Sequence, residues 1–167
     1  MKTTPDFGGT PEHKNLRRAD YVQWKALNNE KALPEDQWSK KYDVAVNQAN
    51  KSHQAVEVFA NNNGFTKANG WTKEHTFTLK GKDVKGMDAD QVTDRRLDLY
   101  NEKTNTGYEH KRGDQYLTAE NKSEILRDAQ LMKDNKDLNI KWQFDKHASK
   151  PLQDFLRQHN IQFNIGM

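Results

Sequence analysis

The chain has 167 residues, of which 33% are hydrophobic and 31% are charged, but its four Trp, five Tyr and seven Phe indicate a real core rather than a disordered chain. The net charge of +3 permits nucleic-acid binding without requiring it. The absence of cysteine excludes disulfides, thiolate catalysis and cysteine-zinc sites, and no apolar run approaches the ~18 residues of a membrane span.

The N-terminal part of the chain predicts a lead-in followed by helices. Residues 1–14 contain two prolines and a Gly-Gly pair, which predict a flexible segment. Apolar side chains at helical spacing predict one helix over about 15–29 and a longer helix from Pro34 to about residue 60. The run Asn61-Asn62-Asn63-Gly64 predicts the end of that second helix, because Asn and Gly tolerate the left-handed conformation.

The remainder of the chain predicts a mixed α/β (α+β) sheet flanked by helices. The whole of 15–167 is expected to be one domain, with a helical half over 15–64 and an α/β core over 65–167. The predicted elements of the core, in chain order, are a strand over 76–80, a charged loop over 81–94, strands over 95–100 and 107–111, a helix from Thr118, a strand over 138–144, a helix from Pro151 and a strand over 161–165.

The two strands at the centre of the chain predict a β-hairpin that carries ionisable groups. Leu97 and Leu99 alternate with Asp98, which predicts a strand with an acid on one face. Glu109 and Lys111 are two residues apart, so they share a face of the second strand. The hairpin is expected to bring Asp98 close to Glu109. Neighbouring carboxylates repel each other unless a cation lies between them, so the pattern predicts a cation site.

The oxygens of this hairpin suit a hard divalent cation. Mg²⁺, or another divalent ion such as Mn²⁺, binds proteins through one or two carboxylates plus waters. Asp98 and Glu109, with the backbone carbonyl of His110, are predicted to hold it. A bound metal ion makes its water a better nucleophile and neutralises charge on a phosphodiester, while Lys111 can orient that water or stabilise the phosphate. The residues therefore predict a magnesium-dependent nuclease with Asp98, Glu109 and Lys111 as its catalytic groups.

The same pattern resembles the PD-(D/E)xK nuclease superfamily, which has the restriction-endonuclease-like fold. The resemblance is carried by Asp98 on one strand, by Glu109-x-Lys111 on the next, and by the helix and strand that follow, and it covers about 95–165. The run Tyr108-Glu109-His110-Lys111-Arg112-Gly113 is similar to nuclease domains at the C-termini of bacterial polymorphic toxins. Leu97 stands where the family pattern has a Pro before the Asp.

The resemblance implies a biological setting and further site residues. It implies an antibacterial toxin domain that cleaves nucleic acid, most often DNA, and that is blocked by a cognate immunity protein. Met1 to Pro5 lack the apolar core of a signal peptide, so the domain is expected to be delivered as part of a larger toxin and to act in the cytoplasm of the target cell. It also implies Glu57, on the long helix, as a candidate extra metal ligand. Candidate contacts to the nucleic acid are Arg96, Arg112 and Gln115.

Three alternatives stay open at this level. The first is a metal-independent ribonuclease toxin that uses Tyr108, His110 and Lys111 for acid-base chemistry, although His110 is expected to face away from Lys111. The second is a nucleic-acid-binding or protein-interaction module without catalysis. The third concerns the site alone: Asp98, Glu109 and Lys111 would form only an ion pair on an exposed sheet face, which stabilises a protein little.

Overall fold

The computed structural model describes residues 10–79, 84–88 and 94–166. The described residues form a mixed α/β structure, which confirms the predicted class. The chain divides into two compact units, residues 1–54 and residues 55–167. The predicted single domain over 15–167 stays a prediction. Most of the predicted lead-in and parts of the predicted loop over 81–94 lie outside the described residues.

The first unit contains helix α1 (Pro11–Leu27) and the first part of helix α2 (Glu35–Asn62). The prediction that the flexible segment extends to residue 14 is wrong, because α1 begins at Pro11. The side-chain oxygen of Thr10 accepts a hydrogen bond of 3.2 Å from the backbone N–H of His13, and proline is favoured in the first turn of a helix. A capped start with a proline in the first turn therefore outweighs the linker-like composition.

Aromatic contacts hold α1 against the first part of α2. The rings of Tyr21 and Trp38 are 6.1 Å apart, and those of Trp38 and Tyr42 are 5.3 Å apart. The guanidinium of Arg18 lies over both Tyr21 and Trp38. No side chain of α1, all of which is described, is buried. This helix pair is thus stabilised by ring stacking and cation–π contacts at the surface.

The second unit contains a five-stranded sheet in the order β1-β2-β3-β5-β7. β1, β2 and β3 are antiparallel neighbours, whereas β5 runs parallel to β3 and β7 runs parallel to β5. Two short strands, β4 and β6, form a separate parallel pair that the sequence did not predict. The strands are β1 (Trp71–Phe77), β2 (Arg95–Asn101), β3 (Thr106–Lys111), β4 (Asp114–Gln115), β5 (Asn139–Phe144), β6 (His147–Ala148) and β7 (Gln162–Ile165).

The first strand lies earlier in the chain than predicted. The sequence predicts a strand over 76–80, but β1 runs from Trp71 to Phe77. Gly70 takes the left-handed conformation (φ 92°) and turns the chain directly into the strand. Trp71 then pairs with Asn101 of β2 and Phe77 with Arg95. The bounds of β1 are therefore decided by its partner strand rather than by its own alternation.

Helices α3 (Ala119–Asp134) and α4 (Lys150–Gln158) connect the parallel strands, as predicted. The side-chain oxygen of Thr118 accepts a hydrogen bond of 3.1 Å from the N–H of Asn121, which confirms the predicted cap of α3. Pro151 lies in the first turn of α4, also as predicted. These two crossover helices explain how β5 and β7 can run parallel to β3.

The core is divided between two clusters of buried side chains. The small cluster joins the second part of α2 to the sheet and contains Val56, Phe59, Ala60, Trp71 and Leu99. The large cluster contains most other buried apolar side chains, and its members Trp142 and Phe144 are fully buried.

Leu97 and Leu99 belong to different clusters, so the predicted alternation around Asp98 is wrong. Leu97 lies in the large cluster and Leu99 in the small one. The regular pattern of the sheet is interrupted here, because Glu74 of β1 has a positive φ of 55°. On the other side, the regular pairing of β2 with β3 extends only from Asn101 to Leu99. Asp98 lies at this interruption.

Candidate active site

The side chain of Asp98 takes the place of a backbone hydrogen-bond acceptor for β3, at the point where the regular pairing of β2 with β3 ends. Its Oδ2 accepts a hydrogen bond of 2.7 Å from the backbone N–H of His110. Burial and the negative charge of Glu109 raise the pKa of Asp98 well above its usual range, against the opposing effects of the His110 N–H and of nearby cations. The side chain is thus held in a fixed position as an acid that is costly to ionise.

Glu109 and Lys111 share one face of β3, as their spacing predicts. The Nζ of Lys111 lies 3.2 Å from Glu109 Oε2, and the two side chains are 13% and 8% exposed. Lys111 Nζ also lies 5.1 Å from the centre of the Trp142 ring. This burial contradicts the alternative of an ion pair on an exposed sheet face.

The site is completed by Arg95 of β2 and by two acids of α3, Glu124 and Asp128, which the sequence did not identify. Lys111 Nζ is 2.7 Å from Glu124 Oε1. The guanidinium of Arg95 contacts Asp128 at 2.7 Å, Glu124 at 3.3 Å and Glu109 at 3.3 Å. We call Asp98, Glu109, Glu124 and Asp128 the acid cluster. The last three pair directly with Arg95 or Lys111, both buried, and Asp98 feels the charge of both.

The buried polar residues of α3 are not predicted, because the apolar side chains alone account for the helical pattern. Besides apolar side chains such as Ile125 and Leu126, α3 buries the polar residues Asn121, Glu124 and Asp128. Those three polar residues recur at intervals of three and four. This spacing marks one stripe of a helix and is the signal that the sequence does contain.

The charges of the site shift the pKa values of its members in opposite directions. Burial would raise the pKa of Glu109, but Arg95 and Lys111 outweigh it and lower that pKa to about 2. Burial and the charge of Glu109 raise the pKa of Glu124 to about 7. Burial would lower the pKa of Lys111, but Glu109 and Glu124 raise it to about 12. Lys111 is therefore an ammonium ion at neutral pH and cannot act as a general base there.

The remaining predicted site residues lie outside this cluster. The ring of His110 packs 5.4 Å from the ring of Phe59, in the region of the small cluster and away from Lys111. Glu57 forms an ion pair with Lys73 of β1 rather than joining the acids. Arg96 is exposed.

Arg112 and Gln115 form a local turn beside the end of β3. The side-chain amide of Gln115 donates to the carbonyl of Arg112 at 2.7 Å, and its oxygen accepts from Asn121 at 3.1 Å. The amide of Gln115 is thus engaged by the protein itself. Its predicted contact with nucleic acid, like those of Arg96 and Arg112, stays a prediction.

The site meets the modest requirement of a magnesium ion but not that of a many-ligand metal centre. Among the described residues, no group of three His, Asp or Glu side chains is arranged to hold a metal ion. Mg²⁺ needs only one or two carboxylates, since it keeps several waters. Glu109 Oε1 is buried and has no hydrogen-bond partner among the described residues, so this oxygen has capacity for a ligand. Asp98 and Glu109 are therefore the acids that would hold the predicted ion, and its binding stays a prediction.

Comparisons of the chain with protein-family models, with curated proteins and with solved structures found no match. Within the part of the chain that the structure describes, no helix has the length and apolar character to cross a membrane. The functional interpretation therefore depends on the geometry of the site.

Proposed function

We propose that this chain is a metal-dependent endonuclease that hydrolyses phosphodiester bonds of nucleic acid, with DNA as its substrate. The observation that supports the proposal best is the buried contact of Lys111 with Glu109 and Glu124, next to an acid, Asp98, that is bound to the backbone of His110. Buried ionisable groups with strongly shifted pKa values are typical of catalytic sites.

We propose a restriction-endonuclease-like fold for the second unit. Its support is the order of the elements: three antiparallel strands, a helix, and then a strand parallel to the third one. The second part of α2 comes immediately before the three strands. The acids of the proposed site come from β2 and β3, as in the PD-(D/E)xK pattern.

In the proposed mechanism, Asp98 and Glu109 would hold Mg²⁺ together with the carbonyl of His110. When bound, the ion supplies charge neutralisation for the phosphodiester and a more acidic water. Lys111, which stays protonated, stabilises the negative charge that develops on the phosphate. Glu124 keeps the Lys111 ammonium in place through their 2.7 Å contact. The protein thus provides two ligands, one fixed cation and the acid that positions it.

The metal-independent ribonuclease receives less support from the same contacts. That mechanism needs His110 and Lys111 on the same side of the scissile bond, within hydrogen-bond reach of the groups that exchange protons. The ring of His110 instead packs on Phe59, and burial lowers its pKa. A metal-dependent reaction uses only the backbone of this residue, which is compatible with the buried ring.

The biological role that we propose is that of an antibacterial toxin domain. It would be delivered as part of a larger toxin, act in the cytoplasm of the target cell and be blocked there by a cognate immunity protein. Expression of the wild-type chain in bacteria should then be toxic, and expression of the Lys111→Ala variant should be tolerated. Unimpaired growth of cells that accumulate folded wild-type protein would contradict this role.

Plasmid cleavage tests the enzymatic proposal directly. Purified wild-type protein should nick supercoiled plasmid with Mg²⁺, and EDTA should stop the reaction. Lys111→Ala and Lys111→Met, which keeps an aliphatic stem near Trp142, should each lower the rate by at least about 100-fold, because a preorganised charge is lost. Circular dichroism should show that both variants are folded.

The chain contains a matched control for this experiment. The tripeptide Glu-His-Lys occurs a second time as Glu12-His13-Lys14 in α1, where Lys14 pairs with Asp43. Lys14→Ala should leave cleavage unchanged. Equal loss in both lysine variants, or cleavage that continues in EDTA, would overturn the proposed mechanism.

A further inference from the structure

Arg95 is buried among the acids that surround the proposed catalytic lysine. Its side chain is 4% exposed. Its Nε and Nη2 contact the two oxygens of Asp128 at 2.7 and 3.2 Å, its Nη1 lies 3.3 Å from Glu124, and its Nη2 lies 3.3 Å from Glu109. A guanidinium cannot lose its proton in a protein, so this positive charge is permanent.

The formal charges of the site leave room for one divalent cation. Once a bound cation has displaced the protons from all four carboxylates, the acid cluster carries −4, and the two buried cations Arg95 and Lys111 carry +2. The remainder of −2 equals the charge of a single Mg²⁺ ion. A second divalent ion would leave the buried site with a net positive charge, which is unfavourable away from water.

Asp128 decides how strongly Arg95 acts on the acids near the proposed metal position. Asp128 is fully buried, and its Oδ2 accepts a hydrogen bond of 2.9 Å from the indole N–H of Trp142. Of the three acids that pair with Arg95, this anchored carboxylate makes the shortest contact with it. Glu109 Oε1 lies within 3.3 Å of the guanidinium but does not form a hydrogen bond with it. Arg95 thus pairs with Glu109 through its charge, without a hydrogen bond to this buried oxygen.

We propose that Arg95 is a built-in countercharge, tied to Asp128, that limits the acid cluster to one divalent cation and sets the affinity for it. This inference depends on the proposed magnesium site. Arg95 is a positioning residue in this scheme, since it acts on the cation through Glu109 and Glu124. The two partners of the pair should therefore have opposite effects when each is neutralised.

Calorimetric titration of the protein with Ca²⁺, without nucleic acid, tests the countercharge directly. Wild-type protein should bind one ion. Arg95→Gln removes a positive charge near the ion and should tighten binding by about tenfold or more, whereas Asp128→Asn removes a negative charge of similar size and should weaken it by about tenfold. Arg95→Lys keeps the charge and should restore an affinity close to that of the wild type.

The controls separate this inference from the proposed function. Arg157→Gln removes an exposed arginine that pairs with Asp154 at the surface, and it should leave the affinity unchanged. A wild type that binds no Ca²⁺ and cleaves no plasmid overturns both proposals. A wild type that binds and cleaves, with affinities unchanged in Arg95→Gln and Asp128→Asn, overturns the countercharge alone. Binding of two ions by the wild type also overturns it.

The test does not require every variant to fold. If Arg95→Gln fails to fold without metal, Asp128→Asn still decides the question, because asparagine has the size of aspartate and its oxygen can still accept the bond from Trp142. Thermal melting provides a second measurement that does not depend on catalysis. The gain in Tm on adding Ca²⁺ should be smaller for Asp128→Asn than for the wild type, and an equal gain contradicts the proposal.

Discussion

Gly107 occupies the position where β3 passes closest to Leu97. A Cβ atom at Gly107 would lie only 2.4 Å from Leu97 Cδ1. The backbone conformation of Gly107 is not left-handed, so the requirement here is for space. Because Gly107 lies two residues before Glu109, close packing of Leu97 against β3 helps to fix the strand that carries the acid and the lysine.

Substitution of Gly107 by alanine should therefore destabilise the protein by overpacking. We expect a loss of about 1–3 kcal/mol in the free energy of unfolding, measured by urea denaturation. Leu97→Ala leaves a cavity beside this position. The double variant should lose less unfolding free energy than the sum of the two single losses. The methyl group added at position 107 would occupy the cavity that Leu97→Ala leaves. Strict additivity would show that the two positions do not contact each other.

At the scale of residues, short-range spacing predicted half of the site. The two-residue spacing of Glu109 and Lys111 requires only a strand, and the strand was predictable from its neighbours. Glu124 and Asp128 were not found because charged residues are exposed by default, although their helical spacing with Asn121 is a local signal of burial. Their burial follows from contacts between β2 and α3, which are far apart in the chain.

Helix α3 carries a pair of glutamates with contrasting surroundings. Glu124 is buried against Glu109, whereas Glu120 lies exposed in the first turn. The raised pKa of Glu124, about 7, means that the folded protein holds a proton there that the unfolded chain releases at lower pH. Its stabilising contribution is therefore complete below the unfolded pKa and is lost as the pH rises through about 7.

Glu124→Gln should accordingly flatten the pH dependence of stability. In EDTA, we expect the wild type to lose up to about 3 kcal/mol of unfolding free energy between pH 5 and pH 8 from this group, and the variant to lose clearly less. Urea denaturation at several pH values measures this. Glu120→Gln, on the same helix, should behave like the wild type. A Glu124→Gln curve that parallels the wild-type curve would rule out the buried, partly protonated acid.

At the scale of elements, caps and turns were more predictable than strand bounds. Thr118 and Pro151 mark the starts of α3 and α4 through local contacts that the sequence contains. The start of β1 at Trp71 depends on pairing with Asn101, thirty positions away in the chain. The predicted alternation of Leu97 and Leu99 failed for a similar reason. The regular sheet pattern is interrupted beside Asp98, where Glu74 of the neighbouring strand β1 has a positive φ, and the two leucines pack in different clusters.

At the scale of the whole molecule, the buried parts of the protein are concentrated in the second unit. Both hydrophobic clusters and the acid cluster belong to residues 55–167. Helix α1, by contrast, buries no side chain. The order of helices and strands was predictable from periodicity, but the neighbour order β1-β2-β3-β5-β7 was not, because it depends on crossover connections.

A fragment of residues 50–167 should therefore fold without the first helix. We expect a cooperative urea transition and a near-ultraviolet circular dichroism signal from Trp71 and Trp142, both of which are buried. The full chain measured in parallel is the reference. A fragment with helical signal but no cooperative transition would show that the N-terminal unit is needed for the core.

The bond from the His110 amide to Asp98 joins two interior strands of the sheet, β3 and β2, beside the proposed site. An amide proton that is held by a carboxylate exchanges with deuterium only when that carboxylate releases it. The isotope label on this one backbone nitrogen would therefore record how often the acid leaves its position. Spectroscopic detection of exchange at the His110 amide would thus report how often Asp98 leaves its position, in protein without substrate, metal or substitution.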